Sequence, residues 1–447
     1  MMSIQNHMIY YNKNLIRRKN DGKREATLNI LFVTQNYYPN GDATSQIVHN
    51  VSKTLISKGS KVDVVALTRD YNTPQTTKKD GVSIIIEFTP ELDTYKHIIR
   101  NLRRKPFVYI KAFFLKTYFS AIRRLNLHNK VYEISPNAVR SYKKAVLKAI
   151  SQQREKYDLI VVTLMPHHAV KAMLDLKTHI PIAVYQLDPY WNNDTLPEKY
   201  KKQRLEYEKT INEKSLFVLT TPIIYETNRK LDRKSFSKLI PSEFPMIVEE
   251  GYCKEILNSN NGIHCVFMGT LYPDIRPPQK IVEIIGKIER RDLSFDFYGL
   301  NQHLITESTH YEKAHKLIKM HGLIHNDEAV TKRNEANILV NIDNISVQQV
   351  PSKIIEYICT GKPIINFFFN KDSHTLEYLK DYPLVLNVNV IDTPSDKAAK
   401  LVEEFVSASN GKQVSWDFIC KKYYKNTPEY VAGQILEALK LQDSTNK

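Results

Sequence analysis

VQQVPSKIIEYICTGKPIINFF, running from Val347 to Phe368, carries the reading of the fold. Pro351 suits a first helical position, where no backbone N–H is needed, and Gly361 suits the residue just past a helix end. The spacing predicts a short helix over 352–359. One apolar run, ANILVNI (336–342), precedes it and another, PIINFF (363–368), follows it, both the length of a buried strand. Strand, helix and strand in such short order make a parallel crossover, the unit of α/β proteins.

The same alternation extends in both directions. Upstream come a strand Ile263–Met268, a helix from about Pro278, and the strands LSFDFYG (293–299) and IKMHGLI (318–324). Further back, LNILFVT (28–34) is followed by a helix with Ile47, Val51 and Leu55 on one face and Gly59 as its stop, then by the strand KVDVVAL (61–67). A helix from Pro136, capped by Ser135, runs to about Lys156, and YDLIVVT, IPIAVYQLD and LFVLTT (216–221) are strands, the last of them closing this half. The pattern weakens between Pro241 and Asn261. The expected division is a tail over 1–27, a domain over 28–243, a hinge over 244–262, a second domain over 263–428 and a terminal helix with tail over 429–447. The fold class is α/β, two Rossmann-like doubly wound domains facing a central cleft, and ligands belong at the carboxyl ends of the two sheets.

At 447 residues, 42% hydrophobic and 25% charged, the chain is too long for one core, too apolar for disorder and too charged for a multi-span membrane protein. The first thirty residues lack the apolar block of a secretory signal, and the four cysteines form no CxxC pair, so a cytoplasmic location is expected and no zinc site. Net charge is +16, and ten Lys or Arg with no acidic residue fall within 96–131. There Phe107, Ile110, Phe114, Tyr118, Ile122 and Leu125 recur at helical spacing. A basic amphipathic helix of this kind fits an anionic membrane surface, with Arg103, Arg104, Lys111 and Lys116 at the phosphates. The same stripe also fits packing on the protein's own core. No nucleic-acid motif accompanies the charge.

Several residues have the chemistry to hold a diphosphate. Amides at the start of the 352–359 helix, beginning with Ser352, face an anion favourably, and Glu356 lies one turn on, about 6 Å along the axis, where a carboxylate can accept from a ribose diol. Arg276, after the strand ending at Gly269, and then Lys353 are the cations expected where a leaving diphosphate gains charge. Gly41 precedes a helix and fits a phosphate- or sugar-binding loop, though an ordinary turn capped by Asp42 or Thr44 fits as well. The GxGxxG and GxxxxGK[ST] patterns are absent, and so is an Asp-x-Asp pair for a metal-dependent transferase.

On these residues the chain resembles the GT-B glycosyltransferases, most of all the large nucleotide-sugar-dependent, retaining family numbered 4. The resemblance covers about 28–440 and rests on ILFVTQNYYPNGDATSQIVHNVSKTLISKGSKVDVVAL, VFMGTLYPDIRPPQKIVE, and HGLIHNDEAVTKRNEANILVNI leading into PSKIIEYICTGKPII. It implies that Glu356 binds ribose, that Ser352, Lys353 and Arg276 meet the diphosphate, and that Gly322 and Ile324 contact the base. Gly41 then lies near the donor phosphate and the acceptor. Three positions depart from the family pattern: Gln348 where a glutamate is common, Asp42 in place of a second glycine, and Thr270 in place of an arginine after Gly269.

The implied activity is transfer of a sugar from a nucleotide diphosphate sugar, held mainly by the second domain, to a saccharide or lipid-linked acceptor on the first. Surface polysaccharide assembly at the inner face of a bacterial membrane is the expected setting. No metal or other cofactor is expected. In a retaining reaction the leaving phosphate takes the acceptor proton; in an inverting one Asp42 is the candidate base. His168, after a strand, is placed at the acceptor or donor sugar. The competing readings are a sugar-nucleotide epimerase of the same architecture and an inactive binding protein.

Overall fold

The computed structural model describes residues 27–38, 41–68, 76–88, 136–152, 157–165, 167–192, 196–255, 262–347 and 352–445. The basic segment 96–131, with Arg103, Arg104, Lys111 and Lys116, lies outside the described residues, as do Gln348 and nearly all of the expected tail.

The first sheet contains β1 (Asn29–Thr34), β2 (Lys61–Thr68), β3 (Thr76–Lys79), β4 (Val82–Phe88), β5 (Leu159–Thr163), β6 (Ile182–Gln186), β7 (Val218–Thr220) and β8 (Leu239–Pro241), in the order β3-β4-β2-β1-β5-β6-β7-β8. All neighbours are parallel except the β3–β4 hairpin. The second sheet contains β9 (Ile263–Met268), β10 (Leu293–Tyr298), β11 (Ile318–Gly322), β12 (Ile338–Ile342), β13 (Ile364–Phe368) and β14 (Val385–Asn389), parallel throughout, in the order β11-β10-β9-β12-β13-β14. The chain order reverses between β9 and β12, and between β1 and β5. In such sheets these switch points leave a crevice at the carboxyl ends.

Helices cover both faces, and the central strands are therefore apolar on both. On β1, Ile30 and Phe32 enter one core cluster while Leu31 and Val33 enter another, all fully buried. This is why the strand reads as a continuous apolar run rather than an alternating one. The helices that matter below are α1 (Ala43–Ser57), α2 (Pro136–Gln152), α3 (His167–Leu174), α4 (Glu198–Lys214), α5 (Pro222–Leu231), α6 (Gln279–Ile285), α7 (Asn326–Glu335), α8 (Lys353–Thr360), α9 (Ser395–Ser409) and α10 (Pro428–Thr445).

Two elements differ from expectation. LFVLTT is not the last strand of the first half, because Leu239–Pro241 adds β8 in parallel beyond it. Three residues ending in proline carry no readable periodicity, and the edge is where a sheet tolerates proline. The hairpin β3–β4 is the other addition, although its Asp80-Gly81 turn, with φ of +49° and +84°, has the sequence that favours such turns.

The halves are tied together by polar contacts. On α1, Asn50 donates to the Pro245 carbonyl (2.9 Å) and Lys53 pairs with Glu250 (2.8 Å). The final helix α10 packs back on α1, with Gln434 donating to the Pro241 carbonyl (2.8 Å). Among the described residues, no helix is long and apolar enough to cross a membrane.

One carboxylate is buried inside the first domain. Glu208 on α4 is 3% exposed, and burial pushes its carboxyl up from 4.5 to about 7, although Gln186 (2.9 Å) and Asn228 (2.6 Å) both donate to Oε1. A folded-state value above the unfolded one gives stability that is complete below about pH 4.5 and lost as pH rises through 7. Thermal melts of Glu208→Gln, whose amide oxygen keeps both bonds, are expected to gain on the wild type by about 3 kcal/mol between pH 4.5 and pH 8. A constant gap would show that the carboxyl does not titrate in this range.

Candidate functional site

The second sheet's strand ends come together through glycines. Gly269 follows β9 at φ +156°, and its N–H donates to the Tyr298 carbonyl (2.8 Å); Gly299 follows β10 at φ +131°, and its N–H donates to Gly322 O (2.7 Å). A Cβ on Gly299 would sit 2.1 Å from the Gly269 carbonyl oxygen, and one on Gly269 would sit 2.1 Å from Lys353 Nζ. The strand ends thus form a floor free of side chains, over which the Lys353 ammonium lies.

That ammonium is held by α8. Ile354, Ile355, Tyr357 and Ile358 are buried, and Gly361 ends the helix at φ +75°, so most of its surface is anchored in the core. Only its first turn is left facing the crevice, with Lys353 and Glu356 half-buried there. Lys353 Nζ donates to the Met268 carbonyl. Burial, with the charge of Arg276 nearby, pulls its pKa down from 10.5 to about 7, against an opposing pull from Glu356.

Arg276 is 8% exposed and reaches the same place from the loop after β9. Nη1 donates to the Thr270 carbonyl (3.3 Å) and Nη2 to Asn344 Oδ1 (2.7 Å), while Nε has no partner among the described residues. Burial lowers its pKa. Asp343 is the carboxylate on its own side, but that carboxyl already accepts from Ser373, from Thr375 (2.8 Å) and from the Asn344 amide (2.9 Å), and burial raises its pKa. Two enclosed cations therefore stand together at the switch point between β9 and β12, with no carboxylate among the described residues bonded to either.

Glu356 lies beside them and carries a partner that the sequence reading missed. Arg333 on α7 donates to Glu356 Oε2 at 2.9 Å, with side chains 12% and 28% exposed respectively. The two residues are far apart in sequence, and no spacing rule links them. The bond leaves Oε1 for a second donor while fixing the plane of the carboxylate. Ile324 packs against the core below, close after Gly322, and Ser352 is half-buried at the helix start.

The first domain contributes the loop after β1. Asn326, the first residue of α7, donates to the Gly41 carbonyl (3.2 Å), so the loop and α7 touch across the cleft. Asp42 is the N-cap of α1: Oδ1 accepts from the Ser45 amide (2.9 Å) and Oδ2 from Asn36 Nδ2 (2.9 Å). Each oxygen accepting one hydrogen bond, Asp42 fills the capping role that the sequence also allowed it. His168 is the second residue of α3. Its neighbour His167 donates from Nδ1 to the Leu164 carbonyl (3.2 Å) and packs on Tyr190 at 4.1 Å. Burial, then Arg204, depresses His167 to about 3, so it is neutral at physiological pH. Among the described residues, no group of three His, Cys, Asp or Glu is placed to hold a metal.

No protein-family model matches the chain, and a comparison with curated proteins finds no match. Solved structures do. Sucrose-phosphate synthase from Thermosynechococcus elongatus superposes with a TM-score of 0.55 at 15% identity, covering 94% of this chain and 98% of that one. A glycosyltransferase from Rickettsia africae gives 0.55 at 12% identity over 93% and 98%. The catalytic domain of starch synthase IV from Arabidopsis thaliana, bound to ADP and acarbose, gives 0.54 at 11% identity over 94% and 100%. Identities this low speak to architecture: the chain has the GT-B fold.

Proposed function

We propose that this protein is a glycosyltransferase that moves a sugar from a nucleotide diphosphate sugar to a saccharide or lipid-linked acceptor. The observation that carries the proposal is the pair of enclosed cations, Lys353 and Arg276, beside Glu356 at the start of α8. Buried positive charge without a bonded carboxylate costs stability, and a site that tolerates it is built for an anion. Glu356, adjacent on the same turn, supplies the acceptor for a ribose diol. The ADP complex of the starch synthase domain supports reading that anion as a nucleoside diphosphate.

The chemistry then needs little from acid–base residues. As the glycosidic bond to phosphate breaks, Lys353 and Arg276 stabilise the charge developing on the departing diphosphate. The leaving phosphate takes the proton of the incoming hydroxyl on the same face, so configuration is retained and no proton is routed through Asp42. Closure of α7 on the Gly41 loop excludes water and favours transfer over hydrolysis. The basic 96–131 segment supports a place at the inner face of a bacterial membrane, in surface polysaccharide synthesis.

Calorimetric titration with UDP, ADP, GDP and CDP tests the site. At least one is expected to bind, and binding at pH 8 is expected to take up a proton, because diphosphate favours the charged form of Lys353. Uptake is read from the dependence of the heat on buffer ionisation enthalpy. Failure of all four to bind would sink the proposal.

A further inference from the structure

One histidine joins the loop after β1 to the β3–β4 hairpin. His49, on the second turn of α1, is 3% exposed, and both of its ring nitrogens are bonded: Nδ1 to the Tyr37 hydroxyl (2.8 Å) and Nε2 to Asp80 Oδ2 (2.9 Å). The bond to His49 holds the Asp80 carboxyl below its ordinary pKa, so it is ionised and can only accept. Nε2 therefore carries the ring hydrogen, Nδ1 is bare, and the Tyr37 hydroxyl donates to it. Burial lowers the His49 pKa, Lys79 and Lys53 add to that effect, and Asp80 opposes it, which keeps the ring neutral at pH 7.

Both tyrosines of the loop are set against this ring. Tyr37 is buried beneath it. Tyr38 meets the imidazole edge-on at 4.8 Å, carries the Lys79 ammonium over its own ring at 3.2 Å, and donates from its hydroxyl to Gln46 Oε1 (2.8 Å). Further along the same loop Gly41 gives its carbonyl to Asn326 of α7, so the place of the loop decides this contact between the two domains. We infer that His49 is a positioning residue for sugar transfer: its Nδ1 holds Tyr37, and with it the loop, where Gly41 meets α7.

Packing alone does not call for imidazole here. Ile47, Val48 and Val51 of α1 already fill the core on this side of the sheet, and one more apolar side chain would carry no nitrogens out of water. Imidazole supplies direction instead, with an acceptor on one side of a rigid ring and a donor on the other. Asp80, in a turn clamped by the β3–β4 pairing, fixes which nitrogen accepts and aims the ring at Tyr37. Lys353, Arg276 and Glu356 lie on the other domain, so a fault in this relay is expected to change turnover and to leave nucleotide affinity unchanged.

The inference rests on the transferase reading and is tested with three variants, Tyr37→Phe, His49→Gln and His49→Asn. In His49→Asn the new Oδ1 falls close to the place of Nδ1 and keeps an acceptor for Tyr37. In His49→Gln the new NH2 falls close to the place of Nε2 and keeps only the bond to Asp80. Because His49→Asn leaves the larger void, a packing role makes His49→Gln the milder change, and so does a role confined to Asp80. Positioning through Nδ1 predicts the reverse. Hydrogen–deuterium exchange of the free protein reads the loop at the Ser45 and Gln46 amides, which Asp42 holds. Exchange there is expected to be about threefold faster or more in Tyr37→Phe and His49→Gln, and to stay near the wild type in His49→Asn. For transfer, kcat is expected to fall about tenfold in the first two variants and to recover in the third, with nucleotide Kd within about twofold throughout. His49→Gln milder than His49→Asn, or Tyr37→Phe indistinguishable from the wild type, overturns the inference in either measurement. A wild type that binds none of UDP, ADP, GDP and CDP removes the transferase, and the exchange pattern then decides by itself whether His49 holds the loop.

Discussion

Replacing Lys353 by methionine is expected to lower kcat/KM for sugar transfer by about 10²- to 10³-fold, the cost of removing one preorganised charge from a developing anion. The same variant should be more stable than the wild type at pH 6. In the empty protein burial holds the lysine pKa near 7, below its usual 10.5. Stability from this group is therefore complete above the unfolded value and lost as pH falls through 7, where the folded state must carry an enclosed charge. Methionine has no charge to enclose. Nucleotide affinity carries the opposite signature: in the wild type it rises as pH falls from 9 toward 7, because the bound diphosphate offsets the cost of protonation, and in the variant this slope disappears. A loss of activity with an unchanged slope would move the proton-linked group elsewhere, and unchanged activity would remove Lys353 from the reaction.

This opposition of stability and binding explains the arrangement around α8. Four apolar residues and a left-handed glycine fix the helix so firmly that its first turn can keep two cations close together. Arg333 contributes from the other side. It engages Glu356 Oε2 and so fixes the carboxylate beside Lys353, which bonds the Met268 carbonyl instead. Because α7 also carries Asn326, whose amide reaches Gly41, the helix joins the orientation of Glu356 to the approach of the two domains.

Much of this was legible in the residues, and the exceptions have physical causes. The helix at 352–359 was readable because Pro351 and Gly361 punctuate it, and its observed bounds, Lys353–Thr360, differ by one residue. The central strands were readable because burial on both faces leaves an unbroken apolar run. Arg276, Lys353 and Glu356 were expected at one site from the order of strand ends, and they are brought together there. Arg333 was not, since a partner on another helix leaves no mark in local spacing. Glu208 was missed for the related reason that on an otherwise polar helix, EKYKKQRLEYEKTINEK, nothing distinguishes an inward glutamate from its solvated neighbours. Asp42 shows the converse: an aspartate before a helix suits a cap and a catalytic role alike in sequence, and the positions of Ser45 and Asn36 establish the cap.

Gly299→Ala is expected to be the most damaging single methyl in the second domain. The residue sits at φ +131°, a conformation that costs an L-residue about 1–3 kcal/mol. The added Cβ would also stand 2.1 Å from the Gly269 oxygen, a contact with backbone that cannot rotate away. Relief requires β9 and β10 to part at their carboxyl ends, breaking the Gly269 amide's bond to Tyr298. Together these effects come to about 3 kcal/mol or more, a fall of roughly 6–12 °C in melting temperature for a domain of this size. Nucleotide binding should fail with it, because Lys353 takes its position from the Met268 carbonyl at the same strand end. A hydroxyl further out on the side chain cannot relieve a clash between Cβ and backbone, so Gly299→Ser should be no milder than alanine. Equal melting temperatures for wild type and Gly299→Ala would mean that the strand ends lie farther apart than the glycine floor requires, which would undo that floor and the anion site built upon it.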